Sequence, residues 1–309
     1  MLTIRRIATW LVWPVLLGAF LTAFALTQHL GYDPSLSLLA VTIGHFLVIM
    51  VLEIVMPARR DWIWLGDWQA VNDLIHGALL DVGGRLGTGL LTIAIASLGA
   101  SLTQTASWNI WPSHLPFLVQ IAIAILIYDF LDYWKHRAFH HWVWLWPIHA
   151  LHHNPARMHI FKAGRLHFLE ATARALITAA PLVLMGAPPE LFFWLAALLN
   201  GMGDQNHWNV ETRFPRFMHF VLSTPQVHWL HHAKNIPNGS SNYGSFTLLF
   251  DHVFGTFRDP TQIPIQDVGI DFDPIPKNLL GQIIAPFGWT WLASRARSKS
   301  SPEGRYIHD

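Results

Sequence analysis

Two long runs without a charged residue limit this chain more than any other feature. Ile7 to Leu26 follows Arg5 and Arg6 and is long enough, at about twenty residues, to cross a bilayer as a helix. Hydrocarbon offers the backbone no hydrogen-bond partner, so a run of this kind spans as a helix or not at all. Leu36 to Met56 is a second span, closed by Pro57. It carries His45 and Glu53, which should face other helices rather than lipid. Leu86 to Leu102 reads as a third span. Pro116 to Leu131 reads as a fourth, whose helical pattern runs on into a polar, His-rich stretch. Ala23-Phe24-Ala25 fits a signal-cleavage pattern, yet the long apolar run and the spans behind it favour a retained helix. Ala171 to Asn200 is apolar but broken at Gly186-Ala187-Pro188-Pro189. Each half has about fifteen residues, which suits two short spans or a hairpin dipping into the bilayer.

Composition agrees. Charged residues are 13% of the chain, about half the usual share of a soluble domain. The net charge of +1 leaves no electrostatic footprint for nucleic acid. The absence of Cys excludes disulfide scaffolds, thiolate metal sites and Cys nucleophiles together. Arg5/Arg6, Arg59/Arg60, Lys135/Arg137 and Arg295, Arg297, Lys299 fall on one side if there are four spans and a hairpin, and that side is then the cytoplasm. The expected architecture is an all-α integral membrane protein: about four transmembrane helices plus a membrane hairpin, with a cytoplasmic His-rich helical cap. Residues 1–115 form the N-terminal membrane-spanning region, 116–260 the His-bearing domain and 261–309 a C-terminal cytoplasmic tail. The polar stretch from Ser294 to Asp309 is expected to be disordered.

The chain has 19 His, and their spacing is not random. His136 and His140 are four apart on the continuation of the fourth apolar helix, so both rings lie on one face. His149, His152 and His153 follow at i, i+3 and i+4, and His228, His231 and His232 repeat that pattern. Eight clustered imidazoles exceed what one ion takes, since a catalytic zinc uses three protein ligands. They suit two metals sharing a site. All-imidazole ligation suits Fe, Zn, Cu or Ni rather than Mg or Ca.

Asp132-Tyr-Trp-Lys-His136-Arg-Ala-Phe-His140, His149 to His153, and Thr224-Pro225 leading into His228 to His232 resemble the histidine boxes of the fatty acid hydroxylase/sterol desaturase superfamily. Asn242-Tyr243-Gly244 and Asp251 to Phe257 resemble its closing segment, so the likeness covers about 120 to 260. The resemblance implies a membrane-bound, non-haem diiron oxygenase with two Fe ions, able to take up zinc on overproduction, and O₂ as co-substrate. It implies hydroxylation of a lipid C–H bond, with lipid or sterol desaturation as the alternative outcome of the same site. His136, His140, His149, His152, His153, His228, His231 and His232 take the ligand positions. His207 resembles an additional ligand placed about twenty residues before the last box. Gly164 to Glu170 resembles a stretch of one bacterial branch in which His167 is a further ligand, although Phe168 stands where that branch has Pro. A bacterial inner membrane, with the active site on its cytoplasmic side, is the implied location. No fused haem or ferredoxin motif is present, so electrons are expected from a separate ferredoxin- or cytochrome b5-like protein.

Asp132, one turn before His136, is expected to accept the distal N–H of a liganding His, with Asp129 as the alternative. Asp251 reads equally as a structural cap. His141 points about 100° away from His140 on the helix and is excluded. His159, His219 and His252 read as interfacial, and His29, His45, His76, His114 and His308 lack partners of matching spacing. Trp134, Trp142, Trp144, Trp146, Trp208 and Trp229 are expected to seat the cap at the membrane interface or to line a substrate tunnel. A membrane zinc hydrolase is the more distant alternative, but no HExxH occurs. A metal transporter would carry its ligands within the spans, and here they follow the helix ends.

Overall fold

The computed structural model describes residues 2–80, 89, 110–234, 239–264 and 267–300. The described residues are helical, with three isolated β-bridges and no strand. Helix α1 (Leu2–His29) and α2 (Pro34–Val55) form an antiparallel pair around a turn at Gly31. Asp33 caps α2 by accepting from Leu36 N at 2.9 Å. Helix α3 covers Phe117–His141, so the apolar pattern and the first His pair share one rod. These three helices are long and apolar enough to cross a membrane. The expected span Leu86 to Leu102 lies outside the described residues, Gly89 apart.

The apolar stretch 171–200 is a helical hairpin. Helix α4 (Trp146–His153) carries the second His cluster and leads through a loop to α5 (Phe168–Arg174). The chain continues as a widened π turn at Ala175–Ala179 and a short helix at Ala180–Leu184. Pro181, which has no N–H to donate, follows that turn. The chain reverses at Gly186 and returns as α6 (Pro189–His207). Helix α6 packs closely on α1. A Cβ at Gly201 would come within 2.9 Å of Leu17 and 3.1 Å of Phe20. Phe20 and Phe24 of α1 are buried with Ala197, so α1 is part of the core.

The bundle has two distinct ends. At one, Phe24 meets Trp194 and Trp111 N donates to Met185 O, which puts the hairpin tip beside the start of α3. At the other, Arg5 pairs with Glu211, Arg213 N donates to Thr9 O, and Pro57 bridges Val210. The His-bearing segments converge at this second end. Glu53, buried in α2 as its setting in an apolar run required, accepts from Ile160 N and Asn209 N, both at 2.8 Å. One carboxylate thus ties the second span to the loop after α4 and to the residues following His207.

Helix α7 (Pro225–His231) and α8 (Leu249–Val253) complete the His-bearing end. The C-terminal segment departs from expectation. Ser294 to Ser300 is not disordered but continues helix α9 (Trp289–Ser300), and residues 301–309 lie outside the described ones. The polar composition concealed an anchor: Trp289 packs with Ile275 on Ala150 and Leu151 of α4. Gln282, just before it, bonds His76 at 3.1 Å.

Replacing Glu53 with Ala leaves two shielded N–H groups without an acceptor, which costs about 1–3 kcal/mol each. Thermal unfolding in detergent should show a clear drop in midpoint, and Glu53→Gln, which keeps an acceptor, should lose less.

Candidate metal centre

Nine imidazoles meet at this end in two groups. His136, His140, His149, His153 and His231 form one; His152, His207, His228 and His232 form the other. Within each group the nearest ring nitrogens all lie within 4.8 Å of one another. The two boxes cross over between them. His149 and His153 enter the first group while His152, between them, enters the second; His228 and His232 enter the second while His231 enters the first. Residues four apart on a helix point the same way, and the third residue is turned far enough to serve a neighbouring centre. The groups touch, with the His153 and His232 rings stacked at 4.3 Å between centroids.

The distal nitrogens explain why the others face inward. His136 Nδ1 donates to Tyr243 O at 2.9 Å, His231 Nδ1 to Ser241 O at 2.7 Å, and His207 Nδ1 to Gly203 O at 2.8 Å. His152 Nδ1 reaches Arg165 O at 3.3 Å, and His149 Nδ1 donates to the buried Glu170 carboxylate at 2.8 Å. A carbonyl or carboxylate accepts only, so each of these rings carries its proton on Nδ1 and presents a bare lone pair at Nε2. Those lone pairs confront one another: His136 and His149 Nε2 at 3.1 Å, His152 and His207 Nε2 at 3.3 Å. Two lone pairs so placed repel unless a cation lies between them. Nitrogens bound 2.0–2.1 Å from a metal and about 90° apart stand about 3 Å from each other, which matches. Buried His140 Nε2 and His231 Nε2 have no hydrogen-bond partner. The residues present therefore fit metal ions.

Electrostatics favour the metal-binding form. Burial, reinforced by neighbouring imidazoles, holds His152, His153, His228 and His232 well below the ordinary histidine range. Burial brings His207 to about 4 and His231 to about 3. Neutral rings are what a metal requires.

The other residues singled out in the sequence fall elsewhere. His167 caps α5, accepting from Leu169 N, and bonds Ile283 O at 3.0 Å; it belongs to neither group. His141 bonds the Tyr243 hydroxyl, His159 the Asp67 carboxylate, His219 the Thr224 hydroxyl and His252 the Phe220 carbonyl. Asp132 pairs with Lys135 at 2.7 Å and accepts from Ser245 Oγ at 2.6 Å, with no imidazole partner. Asp129 accepts from Phe246 and Thr247 N, and Asp251 from Tyr243 and Gly244 N. The three carboxylates thus brace the segment whose Tyr243 carbonyl orients His136. Glu170 ends the Gly164–Glu170 stretch, and no spacing in the sequence marks its bond to His149, 21 residues before it. The backbone acceptors carry no side-chain signal at all. Trp208 and Trp229 are buried in the core, whereas Trp134, Trp142 and Trp144 lie on the surface.

A polar chamber of about 180 Å³ opens beside the imidazoles. It shares Ala163, Leu166, Arg174, Leu199, Asn200 and Asp204 with a larger, more apolar cavity of about 610 Å³ between α2, residues 77–80 and the hairpin.

Comparison with known proteins adds to this geometry. The profile of a family described as fatty acid hydroxylase matches residues 121–256. The ornithine lipid hydroxylase OlsE of Rhizobium tropici is 31% identical over 284 residues, covering 90% of this chain and 83% of that protein. The alkylglycerol monooxygenase of Xenopus tropicalis is 24% identical over 69% of this chain and 46% of its own length. A Delta(7)-sterol 5(6)-desaturase of Schizosaccharomyces pombe is 32% identical over 46% of this chain and 41% of its own length. No solved structure matches.

The geometry predicts a contrast between neighbours. His140→Ala should lose bound metal, whereas His141→Ala should keep it, as should His219→Ala beside His228→Ala. Glu170→Gln should fall between, weakening metal retention by about 10–100-fold. Metal stoichiometry at matched expression reads all five. Equal loss in His141→Ala and His140→Ala would defeat the helical-face argument.

Proposed function

The chain belongs to the fatty acid hydroxylase family, and on that premise we propose that it is an integral membrane diiron oxygenase that hydroxylates a C–H bond of a lipid. The single observation that carries this reading is the gathering of nine imidazoles in two touching groups, five of them held by Nδ1 acceptors so that a bare Nε2 faces inward. His136, His140, His149, His153 and His231 would hold one ion, and His152, His207, His228 and His232 the other. Iron held there supplies the redox chemistry with O₂ that an unactivated C–H bond demands and that side chains lack. The overall change places one oxygen atom in the C–H bond and releases the other as water, with two electrons from a separate donor protein and two protons from solvent.

The chain's own residues do the rest. Glu170 and the carbonyls of Tyr243, Ser241, Arg165 and Gly203 fix the rings. The apolar cavity receives the lipid chain, and its walls exclude water from the imidazoles. Residues 116–260 carry this chemistry, 1–115 anchor it, and the C-terminal segment closes over α4. Three helices among the described residues are long and apolar enough to cross a membrane, with the hairpin read as a dip from the cytoplasmic face; the fourth expected span, 86–102, lies outside the described residues, Gly89 apart. Arg5, Arg6, Arg59 and Arg60 stand at the same end as the histidines, which supports a cytoplasmic active site in a bacterial inner membrane. Trp134, Trp142 and Trp144 would rest at the interface.

A relative named as a desaturase favours one second reading, the removal of two hydrogens at the same site. Mass spectrometry of lipids from cells with and without the gene separates the two: a gain of one oxygen against a loss of two hydrogens. Zinc content with oxygen-independent turnover would overturn both.

Anaerobically purified protein should contain about two iron ions per chain, the number that two all-imidazole groups imply. Elemental analysis finding at most one transition metal would refute the paired site. Reporter fusions after Arg59, after His153 and at Asp309 should read cytoplasmic, and those near Asp33 and Ser107 the opposite side. Opposite readings for His153 and Asp309 would remove the hairpin.

A further inference from the structure

The last described segment carries its amphipathic pattern inside out. The short helix Leu279–Ile284, the 3₁₀ turn Ala285–Gly288 and α9 follow one another without a break. Leu280, Ile284, Phe287 and Trp291 recur at steps of four, three and four, so they share one helical face. They are 66%, 51%, 72% and 60% exposed. The opposite face buries a polar side chain. Gln282 is fully shielded, bonds His76 at 3.1 Å and donates to Gln69 Oε1 at 2.7 Å. Trp289, seated with Ile275 on Ala150 and Leu151 of α4, fixes the rotation further along. The stripe is thus held outward by the contacts on its back. A segment that faced water would carry the reverse pattern. A row of exposed apolar side chains of this size marks a surface made to be covered.

What covers it follows from its neighbours. His76 belongs to the helical residues 69–80, whose Val71, Leu74 and Leu79 are exposed and which lead toward the expected span at 86–102. On the other side Ile283 O accepts from His167 Nε2 at 3.0 Å, and the Phe287 and His167 rings lie 6.4 Å apart between centroids. His167 stands at the foot of the hairpin, where Phe168, Leu176 and Ile177 are exposed. The stripe therefore joins two lipid-facing surfaces into one belt. Beyond it the charge changes. Helix α9 has no acidic residue, Arg295 lies over the Trp291 ring at 5.2 Å, and Arg297 is exposed. An apolar face, a tryptophan at its edge and arginines beyond it are the makeup of a helix lying in the plane of a membrane. The arginines complement the phosphates of an anionic leaflet.

We propose that residues 279–297 form an in-plane membrane anchor. Leu280, Ile284, Phe287 and Trp291 enter the boundary between headgroups and acyl chains in the leaflet on the histidine side, and Arg295 and Arg297 lie level with its phosphates. The inference rests on the integral-membrane reading and adds a contact that neither the spans nor the hairpin make. It also bears on the larger cavity. Gly77 and Leu80 line one wall of that cavity, and Leu166 and Ala171 line another. The anchor grips His76 beside the first wall and His167 beside the second, so it ties both to the membrane surface.

The chain has no Cys, so one introduced Cys takes a single spin label. Full-length protein labelled at Ile284→Cys or at Phe287→Cys is placed in nanodiscs of phosphatidylcholine and phosphatidylglycerol, which leave both leaflets open to solvent. Paramagnetic resonance then compares collisions of the label with O₂, which concentrates in lipid, and with a water-soluble nickel chelate. Leu47→Cys, on the exposed side of α2, serves as the lipid reference, and Ala156→Cys, exposed on the loop after α4, as the water reference. Both stripe labels should favour O₂ over nickel by several-fold relative to Ala156→Cys, as Leu47→Cys does. Metal content equal to wild type certifies each labelled protein as folded, and the two stripe positions are read separately. Stripe labels that behave like Ala156→Cys overturn the proposal. So do labels shielded from both reagents, which assign the face to a protein partner or a second copy. Loss of folded protein at both positions assigns the stripe to packing and overturns it too. A Leu47→Cys label in water would refute the integral-membrane reading itself, whereas stripe labels in water beside an embedded Leu47→Cys label refute the anchor alone.

Discussion

Lone pairs pointed at one another at about 3 Å are the constraint on which everything else in this protein depends. Such an arrangement is repulsive by itself, and only a positive ion at the focus makes it favourable. The chain commits to it by occupying the far side of each ring. Four backbone carbonyls and Glu170 take the Nδ1 protons of five imidazoles, which leaves those rings no freedom to turn a proton inward. Burial then keeps the rings neutral, since charging one would mean placing a cation in a shielded space already crowded with dipoles.

Holding those carbonyls is the task of the surrounding fold. Asp129, Asp132 and Asp251 fasten residues 243–247, and Glu53 fastens the segments at Ile160 and Asn209. These are carboxylates in or beside apolar helices, where an unpaired charge would be prohibitive. Each is tolerated because it satisfies backbone donors or a buried lysine. The long helices are therefore more than anchors. They carry the polar groups that fix the loops around the site, and the hairpin brings the His207 imidazole into the second group.

Much of this was legible in the sequence because helical periodicity converts spacing into direction. His136 and His140, His149 and His153, and His228 and His232 announce shared faces, and Glu53 in an apolar run announces burial. What stayed hidden lies in partners that spacing cannot name. Carbonyl acceptors leave no trace in residue type. The division of each box between two groups depends on how α3, α4, α6 and α7 meet, which is a tertiary fact. Asp132 sits one turn from His136 yet turns to Lys135, because a buried ammonium offers a carboxylate more than an imidazole N–H already taken by a carbonyl. The C-terminal helix was masked by its polar composition, since one tryptophan seated on α4 outweighed the run of basic and hydroxyl residues after it.

The crossing of the boxes has a consequence for how the protein matures. Helices α4 and α7 each contribute to both groups, so an ion captured by either group would immobilise donors of the other. The entropy of ordering those shared helices would fall mainly on the first ion, and a second would meet a site already assembled. Uptake of metal by the newly made chain should then follow a sigmoidal curve, with half-loaded molecules scarce.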